Sequence, residues 1–344
     1  MGAQQSAGPA PLVVAILLPK DAPASLISVL PRSDRRARIQ VIHSDADIAT
    51  VDVSAVTAIV WVPPAPEARL KALYDRVANQ VRWIHSLSAG VDGISDFIST
   101  RLATSPIPLT NGRGAFSSSL AEYAIAACLH FNKQFSRCER NRVSKQWDKF
   151  TMGTLRGKTL GFVGFGDIAK ATAALAAPFG LRLIALRRSP GKTSAEPGAP
   201  QLARTYGAKE SAAFYRECDF IVCSLPLTEE TQKSVGKAAF AAMKPSAVFV
   251  SLGRGAVIDE AALHDALTTG KIAGAACDVF ATEPLPTESP LWGCSKLLVT
   301  AHNADLTDDY FELAFRTWGD NLDCLLAGAP AHKMATPVDK QLGY

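Results

Sequence analysis

Short apolar runs alternate with helix-like segments along nearly the whole chain. In the first half, strand-like runs cover residues 12–18, 39–43, 58–62, 81–87 and 107–109. In the second half, they cover residues 160–165, 181–186, 220–225, 247–252, 273–279 and 297–301. Strands that are buried on both faces give continuous apolar runs, and their alternation with helices is typical of parallel sheets. We therefore expect an α/β protein with two doubly wound parallel-sheet domains.

Residues that are typical of ligand-binding loops collect where these predicted strands end. In the second half they are Gly164–Gly166, Arg187, Pro226, Arg254, Glu283 and His302, and in the first half Ser88–Gly90 and Asn111. In open α/β sheets, ligands bind beyond the carboxyl ends of the strands. The placement therefore predicts one ligand-binding edge on each sheet.

A glycine turn lies at the first strand end of the second half. Gly164, Phe165, Gly166, Asp167 and Ile168 follow the apolar run 159–163 and open an Ala-rich helical segment. Glycines at such a turn let the backbone approach a pyrophosphate at a helix N-terminus. The turn therefore predicts a dinucleotide site.

The end of the next strand indicates which dinucleotide is bound. NAD-selective folds place an acid about 20 residues beyond the glycine turn, where it binds the ribose hydroxyls. This chain has Arg187, Arg188 and Ser189 there instead. Guanidinium groups bind a phosphate through charge-assisted hydrogen bonds. We expect NADP(H) to be preferred, with NAD(H) as an alternative cofactor.

Composition narrows the class of protein. The 344 residues are 48% hydrophobic and 20% charged, which favours two globular domains with sizeable cores. The net charge of +4 is mild and no basic patch is interleaved with aromatic residues, so a nucleic-acid partner is not expected. Seven cysteines without a CxxC pair or a Cys/His cluster indicate reduced thiols, a cytoplasmic location and no metal site.

The first 18 residues show whether the sequence predicts a membrane span, a signal peptide or a lipid anchor. The run 12–18 is too short to span a bilayer, and the segment before it has no positively charged start typical of a signal peptide. The first six residues fit the N-myristoylation pattern, with Gly2 as acceptor. We favour an unstructured N-terminus and keep acylation of Gly2 as the alternative.

A surface loop is expected at 190–200, because this segment is rich in Gly, Ser and Pro.

Six motifs in order carry a family resemblance. They are WIHSLSAGVD from Trp83, RGKTLGFVGFGDIA from Arg156, SLPLTEET from Ser224, SLGRGAVID from Ser251, CDVFATEPLP from Cys277 and VTAHNADLT from Val299. Together they cover most of the chain from residue 83 to residue 307. The chain resembles the D-isomer-specific 2-hydroxyacid dehydrogenases.

The resemblance implies a domain organisation and an activity. A flavodoxin-like substrate domain would comprise residues 1–112 and 306–344, with a Rossmann cofactor domain at 113–305 inserted into it. The activity would be reduction of a small 2-oxo acid, glyoxylate or hydroxypyruvate. A homodimer would form through the cofactor domain, where the helix predicted at 117–131 is more apolar than a solvated helix should be.

Residue roles follow from chemistry and from the resemblance. His302 would transfer the proton, and Arg254 would bind the substrate carboxylate. Glu283 would orient the His302 imidazole and favour its charged form. The resemblance adds Ser88, Ala89, Gly90 and Val91 as substrate-binding residues from the other domain. It also adds the cofactor-binding residues Leu225, Pro226, Thr231, Leu252, Gly253 and Asp278, with Asp278 bonding the nicotinamide carboxamide.

Departures from the family pattern leave the substrate open. Asn303 and Asp305 replace apolar or small residues after the histidine, and they lie nearest the substrate. A bulkier 2-oxo acid is therefore an alternative substrate. A cofactor-sensing binding protein similar to the family's corepressors is an alternative of another class, since those proteins keep the same three polar residues.

Overall fold

The chain divides into two compact units. The computed structural model describes residues 12–189 and 201–344, so Gly2 and the loop predicted at 190–200 lie outside the described residues. One unit, here the outer unit, joins Met1–Ala115 with Asp309–Tyr344, and the central unit is Phe116–Asp308. The assignment of substrate and cofactor roles to domains bounded at 112/113 and 305/306 stays a prediction.

Residues 12–189 and 201–344 form twelve strands. They are β1 Leu12–Leu17, β2 Ala37–Ile42, β3 Ala58–Trp61, β4 Trp83–Ser86, β5 Leu109–Thr110, β6 Thr159–Val163, β7 Arg182–Leu186, β8 Arg204–Tyr206, β9 Phe220–Cys223, β10 Val248–Ser251, β11 Gly274–Cys277 and β12 Leu297–Val299. Eleven of them coincide with predicted runs, and β8 was not predicted.

The same residues form eleven α-helices. They are α1 Ala24–Ser28, α2 Asp45–Thr50, α3 Glu67–Val77, α4 Ser95–Phe97, α5 Ser117–Asn132, α6 Phe135–Val143, α7 Asp167–Ala176, α8 Ser211–Glu217, α9 Lys237–Ala242, α10 Glu260–Thr268 and α11 Tyr310–Leu326. Short 3₁₀ turns include Asp92–Ile94, Gly255–Val257 and Ala331–Lys333, and a π turn at Ile98–Leu102 extends α4.

The outer unit is built on a five-stranded parallel sheet. Its strand order is β2-β1-β3-β4-β5, which is the flavodoxin-like order. Every residue of β3 and β4 is buried, which explains the unbroken apolar run of β3, whereas β4 buries the polar His85 and Ser86 as well. The predicted fold class of this unit is confirmed.

The C-terminal segment completes the outer unit. The ring of Trp318 in α11 stacks on Trp83 in β4 at 6.1 Å between centroids. The Asn321 side chain donates a hydrogen bond to Thr336 Oγ1, and this hydroxyl donates to the carbonyl of Asn111. Residues from both parts of the chain therefore share one core.

The central unit is built on a seven-stranded parallel sheet of order β12-β11-β10-β9-β6-β7-β8. This is the Rossmann order with one further strand, so the predicted fold class is confirmed here too. Alternate residues enter two apolar layers. Phe249 of β10 lies in one layer, whereas its neighbours Val248 and Val250 lie in the other.

Helix α5 packs inside the central unit. Ala124, Ile125, Ala127 and Cys128 are buried in the same apolar layer as β6 and α7. Because this packing explains the apolar character of α5, its composition does not require a partner subunit. The next helix, α6, has no buried residue.

Residues 12–189 and 201–344 do not meet the requirements of a membrane-spanning helix, a metal site or a disulfide. No helix there is long and apolar enough to cross a bilayer. No group of three or more His, Cys, Asp or Glu side chains there is arranged to hold a metal ion. All seven cysteines are free thiols.

Candidate active site

The central unit brings three predicted catalytic residues to one edge of its sheet. Strands β10, β11 and β12 are neighbours and run parallel, so their carboxyl ends lie side by side. Arg254 lies three residues beyond β10, Glu283 six residues beyond β11 and His302 three residues beyond β12. The catalytic roles of these residues stay predictions.

Glu283 and His302 form a close pair. His302 Nδ1 lies 2.7 Å from Glu283 Oε2, and the side chains are 43% and 35% exposed. The backbone N–H of Phe280 donates to the other oxygen, Glu283 Oε1, at 2.8 Å. A carboxylate held in this way favours a proton on Nδ1, so Nε2 is the nitrogen available to a ligand. The pair has the geometry of an oriented acid–base imidazole.

The loop that carries His302 is held by Asp278. His302 has a left-handed backbone with φ of 52°, which costs about 1–2 kcal/mol for a residue with a side chain. Its N–H donates to the carbonyl of Asp278 at 2.8 Å. The Asp278 carboxylate accepts from the N–H groups of Asn303 at 3.1 Å and Ala304 at 3.2 Å.

Asp278 is thus occupied within the protein. It is 1% exposed, and its Oδ1 also accepts from Thr300 Oγ1 at 2.6 Å. The predicted contact between Asp278 and the nicotinamide carboxamide stays a prediction. What the structure adds is a second task for this carboxylate, namely shaping the loop around His302.

Arg254 lies on a loop that is packed tightly against the Glu283 loop. Its Nη1 donates to the carbonyl of Gly253 at 2.9 Å. A Cβ on the next residue, Gly255, would lie 1.8 Å from the carbonyl carbon of Phe280, so only glycine fits there. The backbones that carry the guanidinium and the Glu283 carboxylate are therefore in fixed register.

Asp305 lies among the catalytic charges. It is half-buried, and this burial raises the pKa of its carboxyl, while the charges of His302 and Arg254 act to lower it. The Asp305 carboxyl therefore lies within the electrostatic influence of both His302 and Arg254. The sequence departure at this position therefore introduces a polar group into the candidate site.

The glycine turn between β6 and α7 leaves room for a ligand. Gly164 has φ of 82°, and a Cβ there would lie 2.8 Å from Leu225 Cδ2. Gly166 begins α7 without a side-chain cap, and a Cβ on it would meet nothing within 4 Å. This ten-residue helix therefore begins at a glycine with open space where a side chain would lie, which suits a phosphate.

The surrounding loops fit a dinucleotide as well. A Cβ on Gly253 would lie 2.3 Å from the carbonyl oxygen of Leu225, so these two backbones meet directly. Thr231 Oγ1 donates to the carbonyl of Pro226 at 2.7 Å and closes the loop after β9. The other predicted cofactor residues lie on the same edge, where Asp167 and Ile168 open α7 and Leu252 follows β10.

The predicted phosphate-selective residues follow β7. Arg187 is half-buried, and its guanidinium carbon lies 5.9 Å from the centroid of the Phe165 ring in the glycine turn. Arg188 and Ser189 are exposed. Arginine is thus placed next to the turn, where NAD-selective folds hold an acid.

In the outer unit, residues 88–91 follow β4. Ser88 Oγ donates to the carbonyl of Gly90 at 2.6 Å, and Asn111 Nδ2 donates to the carbonyl of Ala89 at 2.6 Å. Within residues 12–189 and 201–344, no acceptor is seen for the N–H groups of Ala89, Gly90 and Val91. A loop with its carbonyls held and its N–H groups open suits an anion.

Sequence reasoning missed several residues that touch the His302 loop. Tyr123 and Ser119 of α5 bond to this loop, as does Thr300 beside β12. Thr300 lies inside a motif that the sequence singled out, but no local pattern marks Tyr123 or Ser119. The 93% exposure of Trp147 was also not anticipated.

The chain is similar to proteins of one known family. Residues 125–304 match the family model described as D-isomer specific 2-hydroxyacid dehydrogenase, NAD binding domain. The chain is 30% identical over 295 residues to glyoxylate/hydroxypyruvate reductase A of Enterobacter sp. (strain 638), a match that covers 83% of this chain and 87% of that protein.

Two solved structures are similar over nearly the whole chain. One is a D-isomer specific 2-hydroxyacid dehydrogenase from Xanthobacter autotrophicus Py2 in complex with NADPH and MES, with a TM-score of 0.80, 25% identity and coverage of 97% and 100% of the two chains. The other is an NADPH-dependent glyoxylate/hydroxypyruvate reductase from Sinorhizobium meliloti in complex with NADP and sulfate, with a TM-score of 0.79, 25% identity and coverage of 96% and 100%.

Proposed function

The chain belongs to the D-isomer specific 2-hydroxyacid dehydrogenase family, and we propose that it is an NADP(H)-dependent reductase of small 2-oxo acids. The observation that carries this proposal is the Glu283–His302 pair at 2.7 Å, on the same sheet edge as Arg254. A dinucleotide supplies the hydride when bound. The protein supplies the proton and the charge that the substrate requires.

The proposed mechanism assigns one task to each residue. Arg254 binds the substrate carboxylate and polarises the 2-oxo group. His302 gives the proton on Nε2 to the carbonyl oxygen, which becomes the hydroxyl of the product. Glu283 holds Nδ1–H and stabilises the charged imidazole. In the outer unit, the N–H groups of Ala89, Gly90 and Val91 are proposed to bind an anion.

Glyoxylate and hydroxypyruvate are the substrates we favour over bulkier 2-oxo acids. The half-buried carboxyl of Asp305 suits a polar substituent on the substrate and disfavours an apolar one. Hydroxypyruvate and 2-oxobutanoate make a matched pair, because they differ by a hydroxyl against a methyl group. We expect a higher kcat/KM for hydroxypyruvate.

Turnover of a panel of 2-oxo acids with NADPH tests the activity. The panel contains glyoxylate, hydroxypyruvate, pyruvate, 2-oxobutanoate and phenylpyruvate. Preference for phenylpyruvate or 2-oxobutanoate would support the bulkier-substrate alternative. NADPH binding without oxidation by any member would contradict the proposal and support a cofactor-sensing binding protein.

Cofactor selectivity is proposed to depend on Arg187, with Arg188 and Ser189 beside it. Steady-state kinetics should give a higher kcat/KM with NADPH than with NADH. Arg187→Asp should lower the NADPH value by roughly 10- to 100-fold, since it removes a charge-assisted contact and adds repulsion. Arg216→Asp makes the same charge change on the exposed face of α8 and should leave the preference unchanged. Equal efficiency of NADH with the wild-type protein would overturn the assignment.

We also propose that the protein forms a homodimer, through the segment that follows α5. Phe135, Val143, Trp147 and Met152 are 48%, 74%, 93% and 43% exposed. Large apolar side chains that are this exposed within one short segment are typical of an interface. Light scattering should show a dimer for the wild type and a monomer for Val143→Ser/Trp147→Ser. A wild-type monomer at micromolar concentration would contradict the proposal.

The cytoplasm is the compartment we propose. Seven free thiols, five of them buried, suit a reducing environment. Cell fractionation tests the location, and recovery in a secreted fraction would contradict it. Mass spectrometry of the N-terminus tests the alternative of an acylated Gly2.

A further inference from the structure

Helix α5 reaches the His302 loop through two side chains on one face. Ser119 and Tyr123 are four residues apart, so they lie on the same side of the helix. Ser119 Oγ donates to the carbonyl of Ala304 at 2.5 Å. Tyr123 Oη lies 2.9 Å from Thr300 Oγ1. The loop between Thr300 and Ala304 is therefore tied to α5 at both ends.

The direction of each hydrogen bond follows from the available protons. Thr300 Oγ1 donates its single proton to Asp278 Oδ1 at 2.6 Å. Tyr123 must then be the donor in its bond to Thr300. Burial raises the pKa of Tyr123 to about 12, so this phenol keeps its proton at neutral pH.

The Asp278 carboxylate links this chain of hydrogen bonds to the catalytic loop. It accepts from the N–H groups of Asn303 and Ala304, the two residues that follow His302. A left-handed residue that carries a side chain persists only where its surroundings determine it fully. His302 is such a residue, and the hydrogen bonds of its neighbours to Asp278 hold its backbone in the left-handed conformation.

We propose that Tyr123 and Thr300 are positioning residues, which act through Asp278 to hold His302 against Glu283. Neither residue touches the catalytic imidazole, so their effect is on its placement and not on the chemistry itself. The inference rests on the proposed function, because only a proton-transferring His302 makes its placement matter for turnover.

Removal of the Thr300 hydroxyl, which links Tyr123 to Asp278, gives the main test. Thr300→Val keeps the shape of the side chain and removes its hydroxyl. We expect kcat on the best 2-oxo acid to fall about 10- to 100-fold, since the carboxylate loses a donor and the loop loses an anchor. Thr300→Ser restores the hydroxyl and should keep kcat within about threefold of the wild type.

A double-mutant cycle shows whether the hydrogen bonds of Tyr123 and Thr300 act in series or as independent contacts. Tyr123→Phe should lower kcat by about fivefold to tenfold. Because Tyr123 acts through Thr300, Tyr123→Phe/Thr300→Val should lose no more kcat than Thr300→Val alone. Multiplication of the two losses would overturn the proposal, as would a Thr300→Val kcat within twofold of the wild type.

Two further measurements distinguish positioning from general destabilisation. The variants should bind NADPH within about threefold of the wild type in a fluorescence titration, and their thermal midpoints should stay close to it. Tyr215→Phe is the matched control, because Tyr215 is buried in the opposite apolar layer of the same unit. Loss of kcat in this control, or a fall in kcat that only accompanies a lower thermal midpoint, would contradict the proposal.

The outcome is separable from that of the proposed function. If the wild type reduces none of the 2-oxo acids, the proposed function is wrong and this inference falls with it. If the wild type is active and Thr300→Val and Thr300→Ser behave alike, the positioning role alone is wrong.

Discussion

His85 in β4 and His302 after β12 show how burial decides what a histidine can do. His85 is fully buried in the outer unit, with its Nδ1 2.8 Å from Thr110 Oγ1. Burial lowers the pKa of His85 to about 3, so its imidazole stays neutral. His302 is 43% exposed and lies against a carboxylate. A partner of opposite charge and access to solvent suit proton exchange, whereas burial beside a hydroxyl prevents it.

The difference follows from where each residue lies on its strand. His85 is inside β4, where every residue is buried. His302 lies beyond the carboxyl end of β12, where the chain has left the sheet. Both histidines are part of family-like motifs, so motif membership alone does not separate a structural from a catalytic role.

The largest expected effect is on turnover. His302→Asn should lower kcat by roughly 1,000- to 10,000-fold, because the proton donor is lost. Asn is preferred to Ala here because it tolerates the left-handed backbone at this position. Steady-state kinetics on the best substrate measure the change.

The exposed His332 provides the control for that change. His332→Asn removes an imidazole from the outer unit and should leave kcat within twofold. A His302→Asn kcat within tenfold of the wild type would remove the contrast between the two histidines.

A smaller effect is expected from the partner of His302. Glu283→Gln keeps an acceptor for Nδ1 and removes the charge that supports the protonated ring. We expect kcat to fall by about 30- to 100-fold, with little change in KM, because substrate binding is assigned to Arg254. A larger change in KM than in kcat would show that Glu283 serves substrate binding instead.

The smallest expected effect is a pH dependence of stability from His85. Its folded pKa of about 3 lies below the unfolded value of about 6.5, so the unfolded state binds the proton first as pH falls. The contribution to stability is complete above pH 6.5 and is lost progressively towards pH 3. At pH 5 the loss is about 2 kcal/mol.

Hydrogen exchange of the β4 amides measures this loss locally. Between pH 7 and pH 5, the wild type should lose about 2 kcal/mol more protection than His85→Asn, whose side chain does not titrate. His332→Asn should behave as the wild type does. If amide protection had the same pH dependence in the wild type and in His85→Asn, burial would not lower the pKa of His85.

Strands were predictable where both faces of the sheet are covered. β3 and β10 are buried at every residue, so their sequences are continuous apolar runs. β8 has three residues, of which only Tyr206 is buried, because it is the edge strand of its sheet. Two of its three residues, Arg204 and Thr205, are polar, so β8 leaves no apolar run in the sequence.

The site was predictable only as far as its motifs reach. Arg254, Glu283 and His302 were recognisable because each lies in a motif after a strand. The bond between Tyr123 and Thr300 joins residues 177 positions apart, and no periodicity records such a contact. The apolar character of α5 was visible, and its packing inside the central unit accounts for it.

The split of the outer unit has a consequence for how the protein is made. Trp83 is synthesised long before its stacking partner Trp318, and the whole central unit, Phe116–Asp308, is translated between them. At typical rates of synthesis this delay is on the order of 10–50 s. During that time β4 lacks its α11 cover, and near its end the central unit has its complete sequence while α11 is still missing. In nascent chains halted shortly after residue 308, the central unit should therefore resist protease, and the outer unit should be cleaved.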